Sequence, residues 1–253
     1  MKRLLTALAL AALPLPALAQ GTDMTDLNAA ERDAFRAEVR AYLLENPEVL
    51  LEAIDRLEQR QAEQQQASDA SLIATNAEAI FADGHSWVGG NPDGDIALVE
   101  FLDYRCGYCR RAYDEVMSLV DTDGDIRFIV KEFPILGEES VAASRMAIAT
   151  KMVAGDEAYY RVHDALMTFN GRITENSLTR LAEQLDLDAD AIIDRMDSPE
   201  ITEIIEENRA LAQRLQITGT PTFVLEDQML RGYVPLEQMT MMVDRVRDAA
   251  AAE

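Results

Sequence analysis

The chain has 253 residues, with 46 acidic against 23 basic side chains and a formal net charge of −23 at pH 7. Such a surface repels nucleic acid and anionic lipid, and no basic stripe offers a phosphate-binding site. The two cysteines, Cys106 and Cys109, are too close in sequence for a bridge to constrain the unfolded chain much, so redox chemistry or metal binding explains them better than a structural staple.

The chain opens with Lys2 and Arg3, an apolar stretch from Leu4 to Leu13, and Ala17-Leu18-Ala19 with small residues at the −3 and −1 positions of a cleavage site. That is the layout of a secretory signal peptide over residues 1–19, with export to follow and Gln20 as the mature start. The apolar run is interrupted by Pro14 and Pro16 and falls short of the about 20 residues that cross a bilayer. No later stretch is long and apolar enough to span a membrane, so the mature protein is expected to be soluble, and loss of Lys2 and Arg3 makes it more acidic still.

From Thr25 to about Gln66 the sequence reads as helix. Phe35, Val39, Leu43, Leu50, Ile54 and Leu57 recur at spacings near three, four or seven with charges between them. Asn46-Pro47 predicts a restart, with Asn46 as N-cap and Pro47 in the first helical position. Glu58 to Ala67 keeps helix propensity but loses the apolar stripe, as a solvated stalk does. Residues 20–66 therefore form an N-terminal helical region that either packs on the rest of the chain or meets copies of itself. Residues 67–84 form a linker with a further helical turn or two within Ser71 to Phe81.

Residues 85–253 have a different character. Trp87-Val88 is a short strand, Gly89 to Gly94 a turn, and Ile96 to Leu102 a buried strand. A helix begins near Cys106 and runs towards Val120. Asp121 to Asp125 forms a turn, and Ile126 to Val130 a second buried strand. Strand, helix, strand at this spacing is a βαβ unit with a parallel sheet, hence an α/β fold. About 138–215 is helical almost throughout, broken near Gly155, Asn170-Gly171 and Ser198-Pro199, and reads as an inserted helical subdomain. Thr222 to Leu225 returns to strand, Gln228 to Gly232 is an edge strand, and a last helix runs from Leu236 to about Ala250. Asp121, Asp123, Asp125 and Glu132 imitate a calcium loop, but Gly124 stands fourth rather than sixth and the segment ends in a strand pattern.

The chemistry concentrates at Cys106-Gly107-Tyr108-Cys109. At a helix N-terminus, free N–H groups and the helix dipole favour a Cys106 thiolate. Cys109 returns to the same face nearly one turn later, shielded and with a higher pKa. Cys106 is then the exposed attacker and Cys109 resolves the mixed disulfide. Each pKa unit taken off Cys106 stabilises the reduced pair by about 1.4 kcal/mol, at most about 30 mV. Gly107 and Tyr108 supply no charge, so the site is expected to be a weaker oxidant than one with histidine between the cysteines. Arg105, Arg110 and Arg111 either compensate from nearby or are solvated. The competing class is metal binding. Two thiolates can hold Cu(I), whereas zinc wants four ligands, and neither His85 nor His163 sits in a ligand pattern. Met239, Met241 and Met242 read as filler on the last helix. Thr220-Pro221 enters the late strand, where proline is unusual and a cis bond would account for it.

The stretch from Phe101 to Arg110 resembles the active-site segment of the DsbA-like branch of thioredoxin-fold proteins. With Asn46-Pro47-Glu48-Val49-Leu50, the helical insertion and Gly219-Thr220-Pro221-Thr222, it is most similar to the suppressor-of-copper-sensitivity protein C (ScsC) group of bacterial periplasmic disulfide isomerases. The Cys-Gly-Tyr-Cys quartet is also that of the DsbC isomerase. The resemblance implies a thioredoxin fold with an inserted helical subdomain behind an N-terminal oligomerisation region that favours a trimer. It implies Cys106 as nucleophile and Cys109 as resolving thiol, with Gly107, Tyr108, Thr220 and cis-Pro221 facing the substrate chain. Glu100, six residues before Cys106, stands where such proteins place a buried acid that relays protons to Cys109; the bland alternative pairs it with a neighbour such as Lys131. No organic cofactor is implied. The implied partners are exported proteins with disulfides and a membrane thiol–disulfide reductase, and the alternatives are a dithiol oxidase or a Cu(I)-binding copper-tolerance protein.

Overall fold

The structure, a computed structural model, describes residues 27–251. The expected signal peptide lies outside the described residues. The chain divides into two compact units, residues 1–59 and 60–253.

In the first unit, α1 spans Ala29–Glu45. Its start is fixed by a capping box: the Asn28 side chain accepts from the Glu31 N–H, and the Glu31 carboxylate accepts from the Asn28 N–H. α1 buries none of its residues. Phe35, Val39 and Leu44, with Leu50, Leu51, Ile54 and Leu57 from the start of α2 (Glu48–Thr75), stay exposed. The periodic apolar residues therefore make a face without cover among the described residues. Asn46 works differently from expectation. Its side-chain amide and its backbone N–H both donate to the Tyr42 carbonyl, so it closes α1 rather than opening α2.

In the second unit, five strands form one sheet in the order β1-β3-β2-β4-β5: β1 Trp87–Gly90, β2 Ile96–Leu102, β3 Ile126–Glu132, β4 Thr222–Leu225 and β5 Gln228–Arg231. β2 and β3 are parallel, joined through α4 (Gly107–Asp123); the other pairs are antiparallel. Period-two alternation divides β2 between two cores. Val99 and Phe101 face Ile73 of α2, Ile80 of α3 (Ala77–Phe81) and Leu211 of α9 (Pro199–Arg214). Leu98 and Leu102 face α4 together with α5 (Glu138–Ala154), α6 (Asp156–Thr168), α7 (Glu175–Gln184), α8 (Ala189–Met196) and α10 (Leu236–Ala250). Both faces are covered, which is why β2 reads as a nearly unbroken apolar run.

Several boundaries moved: α2 runs unbroken to Thr75 into the expected linker, and β3 runs on to Glu132. Gly89 and Gly90 belong to β1 rather than to the turn. Asp121 and Asp123 belong to α4, whose end is set by Gly124 in the left-handed region (φ 76°) with its N–H on the Val120 carbonyl. Asp123 is held in place by Arg247 of α10, which clamps Asp95 as well. No helix among the described residues is long and apolar enough to cross a membrane.

Candidate active site

The site forms where β2 hands over to α4. Cys106 is the N-cap residue of α4, with φ −75° and ψ 118° and no side-chain cap. The first-turn N–H groups are thus left to face its sulfur. The thiol is recessed rather than exposed: Cys106 keeps 7% of its surface and Cys109 none. What covers Cys106 is the loop before β4, where Thr220-Pro221 is cis and the Cys106 thiol donates to the Thr220 carbonyl at 3.1 Å. Gly107 has open space where a side chain would stand, and Tyr108 is 61% exposed, so this rim is free for a second chain.

The two thiols differ sharply in proton affinity. Cys106 is lowered to about 5. The largest cause is the hydrogen bond from the Cys109 thiol; the Thr220 side chain and the backbone N–H groups of Cys109 and Tyr108 add to it, against the cost of burial. Cys109 is raised, first by burial, then because its own proton is held by Cys106 and because Glu100 lies near. No cation is among the largest causes of the lowering of Cys106. The arginines that were candidates for that role are engaged elsewhere. Arg105 donates to the Gly171 carbonyl, Arg110 to the Leu166, Met167 and Phe169 carbonyls at the end of α6, and Arg111 lies over the Tyr233 ring at 4.5 Å. They tie the neighbouring helices to the site instead of charging it.

Glu100 is 1% exposed and shares the face of β2 that carries Leu98 and Leu102, beneath the cysteines. Its Oε1 has no hydrogen-bond partner, and burial, with Cys106 and Glu132 nearby, raises its pKa to about 8. The pairing with Lys131 does not occur. Lys131 projects from the opposite face of the sheet, alongside Ile129 and Phe133, and donates to Asp83 and the Ala79 carbonyl.

Residues that sequence reasoning missed complete the arrangement. Asp103 is fully buried; one carboxylate oxygen accepts from the Arg105 N–H, the other from Ile135 and Leu136, and its carbonyl accepts from Cys106. It thereby fixes the loop that presents Cys106. Glu132, on the same sheet face as Glu100, accepts from Tyr104 and Tyr159 at 2.8 and 2.6 Å, and Tyr104 also meets His163 Nδ1 at 2.9 Å. The only early signal for either acid was its place beside a strand rich in buried residues. Met239 is buried in the core, whereas Met241 is half exposed. No group of three or more His, Cys, Asp or Glu side chains able to hold a metal ion occurs among the described residues, so a soft ion at Cys106 and Cys109 would have those two sulfurs as its ligands.

Comparisons with known proteins bear on the family and the fold. Residues 97–243, more than half of the chain, match the DSBA-like thioredoxin domain, and residues 31–64 match the copper resistance protein ScsC N-terminal domain. A thioredoxin-like oxidoreductase from Silicibacter pomeroyi is 43% identical, covering 68% of this chain and 97% of its own with a TM-score of 0.63. ScsC of Proteus mirabilis, crystallised in a transitional conformation, is 29% identical over 87% of this chain and 97% of its own, with a TM-score of 0.63. Among curated proteins, the Na(+)/H(+) antiporter NhaA 1 of Salinispora arenicola is 28% identical over 62% of this chain. The chain spans only 24% of that antiporter's length. With the family match running from β2 through α4 and the cis-Pro loop to α10, this chain belongs to the DSBA-like thioredoxin domain family.

Proposed function

We propose that the chain is an exported, periplasmic thiol–disulfide oxidoreductase that works as an oligomeric disulfide isomerase and reductase. The observation that carries this is the asymmetric pair: Cys106 at the N-terminus of α4, held 3.1 Å from the Thr220 carbonyl, with Cys109 buried one turn further on. The Cys106 thiolate attacks a misplaced disulfide in an exported protein and a mixed disulfide forms beside Thr220-Pro221. The substrate chain lies extended along that loop and pairs with its backbone, a form of strand addition. The freed substrate thiol then attacks elsewhere, or Cys109 attacks Cys106 and releases the substrate reduced. A membrane thiol donor keeps the pair reduced.

Isomerase is preferred to oxidase because several reduced sites facing one cavity suit reshuffling. The uncovered face of α1 and the start of α2 supplies the means of self-association, favouring a trimer, and the match of residues 31–64 to the ScsC N-terminal domain supports it. The test is refolding of scrambled disulfide substrate by the full chain carrying Val39→Asp and Ile54→Asp. Both side chains are exposed, so the fold of each copy is left intact. The expected outcome is a monomer by sedimentation, isomerisation reduced at least tenfold, and unchanged exchange with a small peptide disulfide. A monomer that reshuffles as well as the parent would overturn the oligomeric isomerase, and full activity in Cys106→Ser would overturn the nucleophile.

A further inference from the structure

Glu100 and Glu132 form a buried pair of acids. β2 and β3 are parallel, with Glu100 opposite Val130 and Leu102 opposite Glu132. The two acids are therefore on the same face, one strand over and two residues along, a separation of about 8 Å between Cα atoms from the rise and strand spacing. Glu100 keeps 1% of its surface and Glu132 3%. Each has one carboxylate oxygen without a partner, Oε1 of Glu100 and Oε2 of Glu132. Two carboxyls so close in an apolar layer, with no cation between them, do not both ionise readily.

The groups facing the pair come from every element packed on it. Cys106, Cys109 and Tyr113 come from α4 and its start, Asp103 and Tyr104 from the loop before it, Ser144 from α5, and Tyr159 and His163 from α6. No cation is among them; Lys131 is on the other face of the sheet. Glu132 has what Glu100 lacks, two hydroxyl donors on one oxygen, from Tyr104 and Tyr159. The Tyr104 hydroxyl has a single hydrogen, and when it donates to Glu132, His163 Nδ1 must be the donor to Tyr104. The tyrosines thus hold negative charge on Glu132, and that charge repels ionisation of Glu100.

We propose that Glu132 is a positioning residue for the Cys109 step: it adds to the proton affinity that burial gives Glu100, so that the two carboxyls hold one exchangeable proton between them. In resolution, ionised Glu100 takes the Cys109 proton. The Cys109 sulfur then bonds to the Cys106 sulfur as the Cys106–substrate bond breaks, and the substrate thiolate leaves and is protonated from solvent. Charge on Glu132 keeps Glu100 protonated to higher pH and so delays this step. The proposal rests on the thiol–disulfide reading above. Burial raises Glu132 itself to about 7, against the lowering by its tyrosine donors, so it carries charge over the upper part of the pH range in which Glu100 titrates.

The test uses the full reduced chain and the aromatic disulfide 5,5′-dithiobis(2-nitrobenzoate). The first thiol released reports Cys106 attack and the second reports resolution by Cys109. The second rate is followed from pH 5.5 to 9.5, a window chosen to bracket both acids. In the parent its midpoint lies above the ordinary carboxylate range but below about 8, because the Cys106 charge that helps raise Glu100 in the free enzyme is consumed in the mixed disulfide, and in Glu100→Gln the titration disappears. Glu132→Gln moves the midpoint down by about 1 pH unit, the size expected for one nearby buried charge. Tyr159→Phe removes a donor from Glu132, lets it go neutral, and moves the midpoint in the same direction by less; this variant serves if Glu132→Gln does not fold. An unmoved midpoint in a folded variant would overturn the coupling while leaving the redox function intact. Absence of any second release from the parent would overturn the redox function itself.

Discussion

At the scale of single residues, the site gains reactivity from burial and donors rather than from added charge. Cys106 reaches about 5 with the Cys109 thiol, the Thr220 side chain and two backbone N–H groups, and without a cation among the largest causes. Glu100 shows the opposite side of the same physics. Its pKa rises from 4.5 to about 8 because an ionised carboxylate there has neither water nor a donor on Oε1. A folded-state pKa raised above the unfolded value gives stability that is complete below about 4.5 and is lost as pH rises through about 8. Each unit is worth about 1.4 kcal/mol. Glu100→Gln should therefore match the parent in urea unfolding at pH 4 and exceed it by roughly 4 kcal/mol at pH 8. Equal stability differences at the two pH values would show that Glu100 is not protonated in the fold.

At the scale of elements, what was legible depended on whether the determining contacts were local. β2, β4 and α10 were readable to the residue, since unbroken apolar runs and a helical apolar stripe carry their own boundaries. The α4 end was not, because Asp121 and Asp123 look like turn residues and only Arg247, more than a hundred residues later, shows why Asp123 is helical. Asn46 was legible as a cap but not as to which helix it caps. Cys106 and Cys109 could be found by spacing and Pro221 by its place at the entry to a strand, whereas Asp103, Glu132, Tyr104, Tyr159 and His163 meet only across the fold and leave no pattern in the chain. Arg110 is of the same kind. Its guanidinium satisfies the Met167 and Phe169 carbonyls at the end of α6, beyond the Leu166 carbonyl that the Phe169 N–H already caps. Arg110→Ala should cost about 1–3 kcal/mol in urea unfolding. It should also raise amide hydrogen exchange over residues 166–171. Parent-like exchange there would mean that α6 ends without help from Arg110.

At the scale of the whole molecule, two kinds of surface have different work. In residues 60–253 the apolar side chains are spent on two cores, one on each face of the sheet, and the cysteines sit at the edge of one of them. In residues 1–59 the apolar side chains of α1 stay uncovered, as a region built to meet other copies would leave them. The formal net charge of −23 disfavours close approach of other polyanions. All of this serves one asymmetry, a thiol that is ionised at neutral pH next to one that is not. The most direct test is the alkylation rate of each cysteine in the reduced full chain by iodoacetamide, resolved by mass spectrometry across pH 4–10. The account predicts that Cys106 reacts with a midpoint near 5 and that Cys109 stays unmodified throughout. Joint modification of both cysteines with a shared midpoint near 9, the ordinary value, would contradict it.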